Sequence, residues 1–282
     1  MTNIINAKTR LLGLLADPSE HSKSPDMYNS IFPVHDLNYV YMSFQVNPET
    51  LANAVMGIRA LNFVGANVSM PNKVEVLQYL DEVDPVASVI GAVNCITNKN
   101  GMLKGYNTDG LGFVSNLKEH GVDVTNKTIT LVGVGGAGTA VAAQSAFSGA
   151  KAINIFNIKD SSFERAQKFV QNVTHETGIP VQLFDLADEQ ALANSIEQSE
   201  ILINATAVGM GRFEGQSVVK DVKLLRSDLI VADTIYDPEK TQLLVDAENA
   251  GCQIINGQGM LKNQGIENFK LWTGLPMYKE SK

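Results

Sequence analysis

Two short polar clusters interrupt the apolar runs in the first half of the chain, and each holds a side chain that can move a proton. The first spans residues 67–73 (NVSMPNK) and contains Lys73, and the second spans residues 107–110 (NTDG) and contains Asp109. Both come where a predicted strand or hairpin ends and a predicted helix begins, which is where α/β sheets bind ligands. A lysine–aspartate pair of this kind can shuttle the proton of a secondary alcohol while hydride leaves its carbon.

The predicted helices around these two residues suit such chemistry. Residues 71–80 are predicted to form a helix opened by Pro71, with Lys73 in its first turn. There the helix dipole disfavours the ammonium and lowers the lysine pKa, as a general base working near neutral pH requires. Asp109 is predicted to begin a helix over residues 109–120, where its ionised form is favoured. The residues alone leave open a solvated surface lysine and a plain helix cap.

A third candidate is the segment His21-Ser22-Lys23-Ser24-Pro25. Ser24 is predicted to be the N-cap of a helix with Pro25 as its first residue. Two hydroxyl groups, from Ser22 and Ser24, near a helix N-terminus suit a bound carboxylate. The alternative is an ordinary capped helix start.

A glycine-rich stretch at residues 128–138 (TITLVGVGGAG) predicts a strand, a tight turn and a helix. Gly133, Gly135 and Gly138 have the spacing G-x-G-x-x-G. Such glycines let the backbone approach a pyrophosphate, and the helix N-terminus then offers it free N–H groups. The stretch therefore predicts a dinucleotide site, and the alternative is a glycine-rich turn that binds nothing.

The residues after the next strand bear on the choice of coenzyme. A Rossmann unit usually places an acidic residue about 20 residues past its glycines, on the ribose 2′-hydroxyl. Here Asn157 ends the predicted strand, and Ile158, Lys159 and Asp160 follow. A carboxylate at Asp160 would repel a 2′-phosphate, whereas Lys159 could pair with one. We favour NAD, with NADP as a tolerated second, and the alternative is that Asp160 only caps the next helix.

These candidates must be positioned by a chain that alternates between strands and helices, which predicts an α/β fold with largely parallel sheets. Predicted strands cover residues 11–16, 39–46, 63–69, 92–97, 102–106, 128–132, 152–157, 181–186, 201–205, 229–232 and 253–255. Predicted helices cover residues 48–61, 71–80, 109–120, 241–250 and 257–272, and a further helix face covers residues 163–173. Residues 98–101 (NKNG) predict a hairpin turn.

Composition excludes several classes of protein. The chain has 282 residues, 44% of them hydrophobic and 18% charged, which indicates one or two globular domains. The net charge of −8 and the lack of a basic stripe argue against nucleic-acid binding. Cys95 and Cys252 lie far apart in apolar contexts and are predicted to be buried thiols. The four histidines are scattered, so no metal site is predicted.

Residues 128–150 carry no charge and are long enough to cross a bilayer. Their five glycines and polar side chains fit the strand, turn and helix better, so we expect no membrane span. The first ten residues lack the apolar region of a signal peptide, so we expect a cytoplasmic protein.

Several of these motifs together resemble the shikimate dehydrogenase family. The segments HSKSP, GANVSMPNK, GAVNCI, GYNTDG, GVGGAG, NATAVGM and GQGMLKNQG occur in the order seen in that family, over nearly the whole chain. SMPNK, FNIKD, DLAD and NFKLWTG are similar to its quinate/shikimate dehydrogenase branch.

The resemblance implies a division of the chain into two domains. An α/β substrate-binding and catalytic domain would span residues 1–109 and be completed by 257–282, including a returning C-terminal helix. A Rossmann domain for NAD(P) would span residues 110–256. The implied reaction is reversible oxidation of a ring hydroxyl of quinate, shikimate or both, giving 3-dehydroquinate or 3-dehydroshikimate. We also expect a homodimer with a small-molecule substrate as its only other partner.

The resemblance also implies a role for each motif residue. Lys73 would be the catalytic lysine, paired with Asp109. Ser22 and Ser24 would bind the substrate carboxylate, and Tyr41 would line that end of the substrate. The ring hydroxyl groups would be bound by Ser69, Asn94, Thr108, Asp109 and Gln264. The coenzyme would contact the pyrophosphate-binding residues Gly133, Gly135, Gly136, Ala137 and Gly138, the ribose-side residues Asn157, Lys159 and Asp160, and the nicotinamide-side residues Thr206, Tyr236 and Gly257.

Two positions depart from the family pattern. Ile158 stands where NADP-specific members carry an arginine, which weakens the case for NADP. Ala207 stands where the quinate/shikimate branch often has a lysine, and its effect on coenzyme affinity is left open. The alternatives are an NADP-specific shikimate dehydrogenase of aromatic amino acid biosynthesis and a non-catalytic ligand sensor. Retention of both Lys73 and Asp109 argues against a sensor, which needs neither.

Overall fold

The computed structural model describes residues 5–278 and divides into two structural units. The first unit contains the residues up to Thr108 together with those from Gly265 onward. The second unit contains Asp109–Gln264. The boundaries that the sequence suggests, after residues 109 and 256, stay a prediction about which residues serve which ligand.

The first unit is built on a six-stranded sheet with the strand order β2-β1-β3-β5-β6-β4. Its elements are β1 (Arg10–Ala16), α1 (Ser24–Ile31), β2 (Tyr39–Gln45), α2 (Pro48–Ala60), β3 (Gly65–Val68), β4 (Glu82–Val83), α3 (Pro85–Ile90), β5 (Cys95–Lys99) and β6 (Met102–Tyr106). Strand β1 is parallel to β2 and β3, whereas β5 is antiparallel to β3 and β6. Strands β5 and β6 form a hairpin, in whose turn Asn100 and Gly101 both have positive φ.

Apolar side chains cover both faces of this sheet. Helix α2 begins with a capping box between Asn47 and Thr50 and buries Leu51 in one core. A second core contains the aromatic side chains of Tyr28 and Trp272. Each large apolar side chain buried in this way stabilises the fold by about 1.5–3 kcal/mol, so β1, which has five consecutive buried residues, is held firmly.

The second unit is built on a six-stranded sheet in which all neighbouring strands are parallel. Its elements are α4 (Asp109–Glu119), β7 (Thr128–Val132), α5 (Gly136–Phe147), β8 (Ala152–Asn157), α6 (Phe163–Thr177), β9 (Val181–Asp185), α7 (Glu189–Gln198), β10 (Ile201–Asn204), β11 (Ile230–Asp233), α8 (Gln242–Asn249) and β12 (Gln253–Ile255). Helix α9 (Gln258–Thr273) begins in this unit and ends in the first.

The strand order β12-β11-β10-β7-β8-β9 is that of a doubly wound Rossmann sheet. The order reverses between β7 and β10, which are neighbours in the sheet. Ligands bind such sheets at the carboxyl ends of the strands on either side of this reversal. The predicted dinucleotide turn follows β7 directly, so the α/β fold with a Rossmann sheet is confirmed.

The helix predicted over residues 71–80 is wrong. Residues 70–74 form a turn, and Glu75–Tyr79 follows as a short 3₁₀ helix. In an α-helix the carbonyl of Lys73 would accept from the N–H of Leu77. Here it accepts from the N–H of Val93 at 2.8 Å, and the N–H of Leu77 turns to the carbonyl of Val74. A tertiary hydrogen bond has therefore replaced the helical one.

The predicted cap at Ser24 is also displaced. Lys23 is the N-cap of α1 and makes no capping hydrogen bond through its side chain, while Ser24 is the first helical residue. The hydroxyl of Ser22 accepts a hydrogen bond from the N–H of Ser24 at 3.2 Å, so it satisfies the first N–H of the helix.

Residues 128–150 fold as β7, the glycine turn and α5, as expected from their glycines. Within residues 5–278, no helix has both the length and the apolar character needed to cross a bilayer.

Candidate active site

Two glycines of the turn after β7 are required by the packing of the protein itself. Gly133 has φ of +93°, and a Cβ there would lie 2.6 Å from Cγ2 of Thr206, at the end of the neighbouring strand. A Cβ at Gly138 would overlap with the carbonyl oxygen of Gly133. Larger residues at either position would therefore separate the turn from the helix or from the adjacent loop.

The other two glycines face open space. Gly135 has φ of −73°, which any residue can adopt, and Gly136 begins α5. A Cβ added at either position would have no described atom within 4 Å. The N–H groups of the first turn of α5, including that of Ala137, emerge beside this space. A small residue here leaves a cradle that a Cβ would fill, and the cradle fits a pyrophosphate at a helix N-terminus.

Asn157, at the end of β8, braces the glycine turn. Its side-chain Oδ1 accepts from the N–H of Val134 at 3.2 Å, and its Nδ2 donates to the carbonyl of Ile158 at 3.0 Å. The side chain is buried. Asn157 therefore has a structural role in the turn, and its contact with a ribose stays a prediction.

Asp160 is exposed and is held by a local turn. Its Oδ1 accepts from the hydroxyl of Ser162 at 2.6 Å and from the N–H of the same residue at 2.8 Å. These hydrogen bonds lower the pKa of the Asp160 carboxyl, so it is ionised at neutral pH. The N-cap of α6 is Ser162 and not Asp160. The ammonium of Lys159 lies 5.9 Å from the ring centroid of Phe163.

The loops after β10 and β11 are tied together by a buried carboxylate that the sequence analysis missed. Asp233 accepts from Nδ2 of Asn204 at 3.0 Å, from the hydroxyl of Thr241 at 2.8 Å and from the N–H of Ile235 at 2.9 Å. Burial raises the pKa of this carboxyl to about 6, although the hydrogen bonds oppose the shift. The signal that could have found it is a charged residue at the end of an otherwise apolar strand.

This network reaches the predicted nicotinamide-side residues. Oδ1 of Asn204 accepts from the hydroxyl of Thr206 at 2.8 Å, which fixes the start of the loop after β10. The N–H of Gly257 donates to the carbonyl of Ile235 at 2.8 Å, and a Cβ at Gly257 would overlap with backbone of the same loop. Tyr236 is exposed. Thr206 and Tyr236 thus belong to two loops that share the Asp233 anchor, and Gly257, in the turn between β12 and α9, is hydrogen-bonded to the second of them.

In the first unit, Tyr41 connects the predicted carboxylate-binding residues to a network of hydrogen bonds. The side chain of Ser24 faces the hydroxyl of Tyr41. That hydroxyl donates to Oδ1 of Asn67 at 2.8 Å. Burial raises the pKa of Tyr41 well above its ordinary value, so the side chain is a neutral hydrogen-bonding group.

The same network continues to the predicted hydroxyl-binding residues. Nδ2 of Asn67 donates to the carbonyl of Asn94 at 3.1 Å. Oδ1 of Asn94 in turn accepts from the N–H of Thr108 at 2.9 Å. The structure therefore brings Tyr41, Asn94 and Thr108 into one hydrogen-bonded set, with Asn67 as the link, and Ser24 lies beside Tyr41 at one end.

Lys73 is half-buried in the turn after β3, and neighbouring segments fix the backbone of this turn. The N–H of Ser69 donates to the carbonyl of Leu15 at 3.0 Å. Nδ2 of Asn72 donates to the carbonyl of Val46 at 2.6 Å. Because no α-helix begins at Pro71, the predicted place of Lys73 in the first turn of a helix is wrong.

Asp109 is the first residue of α4, as predicted. Two glycines let this helix approach its neighbours closely. A Cβ at Gly110 would overlap with the carbonyl of Ala140 in α5, and one at Gly112 would lie 2.6 Å from the backbone nitrogen of Gln264 in α9. Helix α4 thus connects Asp109 to the helix that follows the glycine turn and to the segment that carries Gln264.

Both cysteine side chains lie in the interior of the protein. Cys95 and Cys252 are both buried and unbridged, as expected, and burial raises the pKa of each thiol. In the part of the chain that the structure describes, histidine, cysteine and acidic side chains form no group of three that could hold a metal ion.

A parallel sheet in the Rossmann order, with an open glycine cradle beside its strand reversal, defines the second unit as a dinucleotide-binding unit of the kind found in NAD(P)-dependent oxidoreductases. Comparison with known proteins agrees with this class. The model of the shikimate dehydrogenase substrate binding domain matches residues 14–96. Over 273 residues the chain is 45% identical to the shikimate dehydrogenase (NADP(+)) of Listeria monocytogenes. The aligned region covers 97% of this chain and 94% of the relative.

The chain therefore belongs to the shikimate dehydrogenase family, and it is an oxidoreductase that acts on a CH–OH group. It is also 45% identical to the quinate/shikimate dehydrogenase of Escherichia coli over 270 residues, covering 96% of this chain and 94% of the relative.

Solved structures agree. The shikimate 5-dehydrogenase of Listeria monocytogenes in complex with shikimate and NAD has a TM-score of 0.95 at 45% identity, covering 98% of this chain and 96% of that one. The quinate dehydrogenase of Corynebacterium glutamicum in complex with NAD has a TM-score of 0.83 at 29% identity, covering 95% of each chain.

Proposed function

We propose that this enzyme reversibly oxidises a ring hydroxyl of shikimate, quinate or both, with a nicotinamide dinucleotide as its coenzyme. The observation that carries the proposal is the open cradle at Gly135 and Gly136, which the fold itself does not need. The 45% identity to enzymes named for shikimate and for quinate/shikimate supports the choice of substrate.

In the proposed division of labour, most substrate-binding residues belong to the first unit, and Gln264 is the last residue of the second. Ser22 and Ser24 receive the carboxylate, because hydroxyl groups can donate to it, and Tyr41 lines the same end of the site. Ser69, Asn94, Thr108 and Gln264 bind the ring hydroxyl groups, because amide and hydroxyl side chains can both donate and accept. The buried hydrogen bonds that join Tyr41, Asn94 and Thr108 through Asn67 hold these residues in place before the substrate arrives, which reduces the ordering needed on binding.

The second unit holds the coenzyme, whose nicotinamide ring takes up the hydride when it is bound. Gly133, Ala137 and Gly138 shape the cradle for its pyrophosphate, and Thr206, Tyr236 and Gly257 line the nicotinamide end. In the direction of oxidation, Lys73 accepts the proton of the reacting hydroxyl as general base. Asp109 binds the same hydroxyl and stabilises the protonated lysine. In reduction, the lysine ammonium returns the proton as general acid.

We further propose that NAD is preferred over NADP. The ionised carboxylate of Asp160 is fixed by Ser162 at the end of β8. A carboxylate there can accept from a ribose 2′-hydroxyl and repels a 2′-phosphate. Lys159 is the residue that favours NADP as a second coenzyme, although its ammonium lies over the ring of Phe163.

The experiment is a complete set of kcat/KM values for shikimate and quinate with NAD and NADP, followed by nicotinamide absorbance. We expect turnover with at least one of the two acids and a higher kcat/KM with NAD. Turnover with NADP alone would contradict the coenzyme assignment, and no turnover with either acid would contradict the substrate assignment. The proposed homodimer is tested by light scattering, for which a monomer mass is the contradicting result.

A further inference from the structure

A chain of buried polar groups in the first unit joins Thr108 to helix α9. The hydroxyl of Thr108 lies 2.8 Å from Oδ1 of Asn268. The side chain of Asn268 also hydrogen-bonds the hydroxyl of Tyr28, which lies 3.2 Å from the carbonyl of Gly265. Asn268 and Tyr28 are both fully buried. Because buried polar groups must satisfy one another, the direction of each hydrogen bond in this chain is constrained.

The direction can be assigned from the carbonyl of Gly265, which can only accept. The hydroxyl of Tyr28 therefore donates its single proton to that carbonyl, and the hydroxyl oxygen can only accept from Asn268. The donor in Asn268 is its amide Nδ2, so this nitrogen faces Tyr28 and Oδ1 faces Thr108. The orientation of the Asn268 amide is thus fixed by Tyr28.

The remaining question is where the single hydroxyl proton of Thr108 goes. A second acceptor, Oδ1 of Asn94, lies 3.2 Å away, but it already accepts from the N–H of Thr108 at 2.9 Å. Oδ1 of Asn268 is closer, at 2.8 Å. The proton therefore goes to Asn268, and the hydroxyl oxygen of Thr108 meets a ligand with its lone pairs.

We propose that Asn268 is a positioning residue that makes Thr108 a hydrogen-bond acceptor for a hydroxyl group of the substrate. This inference rests on the proposed function, because it takes Thr108 to contact the substrate. A fixed acceptor favours a ligand that presents a hydroxyl at this place and disfavours one that presents only lone pairs there. Asn268 thereby contributes to the choice of a polyhydroxylated ring without touching it.

The test is a double-mutant cycle in the full-length enzyme, with Asn268→Leu, Thr108→Val and the double variant. Asn268→Leu keeps the side chain's size but removes the acceptor, so we expect the shikimate KM to rise about tenfold, the effect of one hydrogen bond. The KM for the coenzyme is expected to stay unchanged. In the Thr108→Val background, Asn268→Leu is expected to add nothing, because its effect passes through the Thr108 hydroxyl.

Two further variants separate positioning from folding. In Asn268→Asp, burial favours the neutral carboxyl, whose carbonyl oxygen can accept from Thr108 while its O–H donates to Tyr28. We expect this variant to keep the wild-type shikimate KM. Asn98→Leu is the matched control, since Asn98 is a buried asparagine of the same unit that bonds the carbonyls of Ile58 and Phe63. It is expected to lower the melting temperature without raising the shikimate KM.

Several results would overturn the inference. These are an unchanged shikimate KM in Asn268→Leu, equal effects of Asn268→Leu in both backgrounds, or failure of Asn268→Asp to restore the KM. An unchanged KM in Thr108→Val would overturn it as well, while leaving the dehydrogenase assignment intact. The proposed function fails separately, if the wild-type enzyme oxidises neither acid.

Discussion

Oδ1 of Asn157 accepts a hydrogen bond from the backbone N–H of Val134 at 3.2 Å, so the end of β8 holds the turn that follows β7. Asn157 is the last residue of β8, and Val134 follows the neighbouring parallel strand β7, so both lie at the same edge of the sheet. The shape of the coenzyme cradle therefore depends on a side chain outside the glycine motif.

This relationship predicts the effect of Asn157→Leu. Loss of the hydrogen bond leaves the Val134 N–H unpaired in a buried position, which costs about 1–3 kcal/mol. We expect a lower melting temperature and a higher KM for the coenzyme, with the shikimate KM unchanged. Asn154→Leu is the control, because Asn154 lies on β8 like Asn157 but donates its hydrogen bond to the hydroxyl of Ser195. If both variants raise the coenzyme KM equally, the bracing role of Asn157 is wrong.

The glycines of the cradle are expected to separate into two classes. Gly138→Ala places a Cβ against the carbonyl of Gly133, so it should lower the melting temperature. Gly136→Ala meets no described atom within 4 Å, so it should keep the melting temperature of the wild type. Its methyl group instead enters the space assigned to the pyrophosphate and should raise the KM for the coenzyme. An unchanged coenzyme KM in Gly136→Ala would place the dinucleotide elsewhere.

The coenzyme preference is expected to depend on Asp160. Asp160→Ala should raise the KM for NAD more than that for NADP, because it removes an acceptor for the 2′-hydroxyl and a charge that repels the 2′-phosphate. Asp123→Ala is a matched control, since Asp123 is an exposed aspartate that accepts in the same way from the N–H of Thr125 at 2.8 Å. Equal effects of Asp160→Ala on the two coenzymes would refute the proposed contact with the ribose.

The buried carboxyl of Asp233 is expected to make stability depend on pH. Its pKa of about 6 in the folded protein lies above the ordinary value of 3.8, so the folded state binds this proton more tightly. The contribution of Asp233 to stability is therefore complete at pH values below 3.8, the ordinary pKa. It is lost as the pH rises from 3.8 to about 6. The difference of about two pKa units corresponds to about 3 kcal/mol.

Thermal unfolding of the wild type and Asp233→Asn, measured between about pH 4 and pH 7, checks this expectation. The variant lacks the titrating group, so the stability of the wild type should fall relative to it as the pH rises. The variant also loses part of the anchor of two loops. This loss lowers its stability by the same amount at every pH, so it does not alter how the difference in stability between the two proteins varies with pH. Parallel curves would show that Asp233 does not titrate in this window.

Regular parts of the fold could be predicted from the sequence because local signals and tertiary packing agree there. The predicted strands 128–132, 152–157 and 253–255 match β7, β8 and β12 residue for residue. Each is a short apolar run bounded by a glycine or polar residues. The predicted hairpin turn is confirmed for the same reason, because Asn100 and Gly101 adopt the positive φ that the motif favours.

Elements decided by distant contacts could not be predicted in this way. The turn that carries Lys73 has a proline that could begin a helix. However, the carbonyl of Lys73 accepts from the N–H of Val93, so it is not available for a helical hydrogen bond. Helix α7 was not predicted, although Asp188 caps it through the N–H of Ala191. Among the polar residues of the site, Asn67 and Asn268 carry no local signal, because their importance lies in which buried groups they join.

The central claim is that Lys73 moves the proton of the reacting hydroxyl, and its most direct test is the kcat of Lys73→Met with shikimate and NAD. The substitution keeps the length of the side chain and removes the amine, so we expect kcat to fall by about 10²–10⁴-fold, the usual contribution of an acid–base group. Lys99→Met, at an exposed lysine of the same unit, should keep the kcat of the wild type. A Lys73→Met enzyme with wild-type kcat would contradict the account.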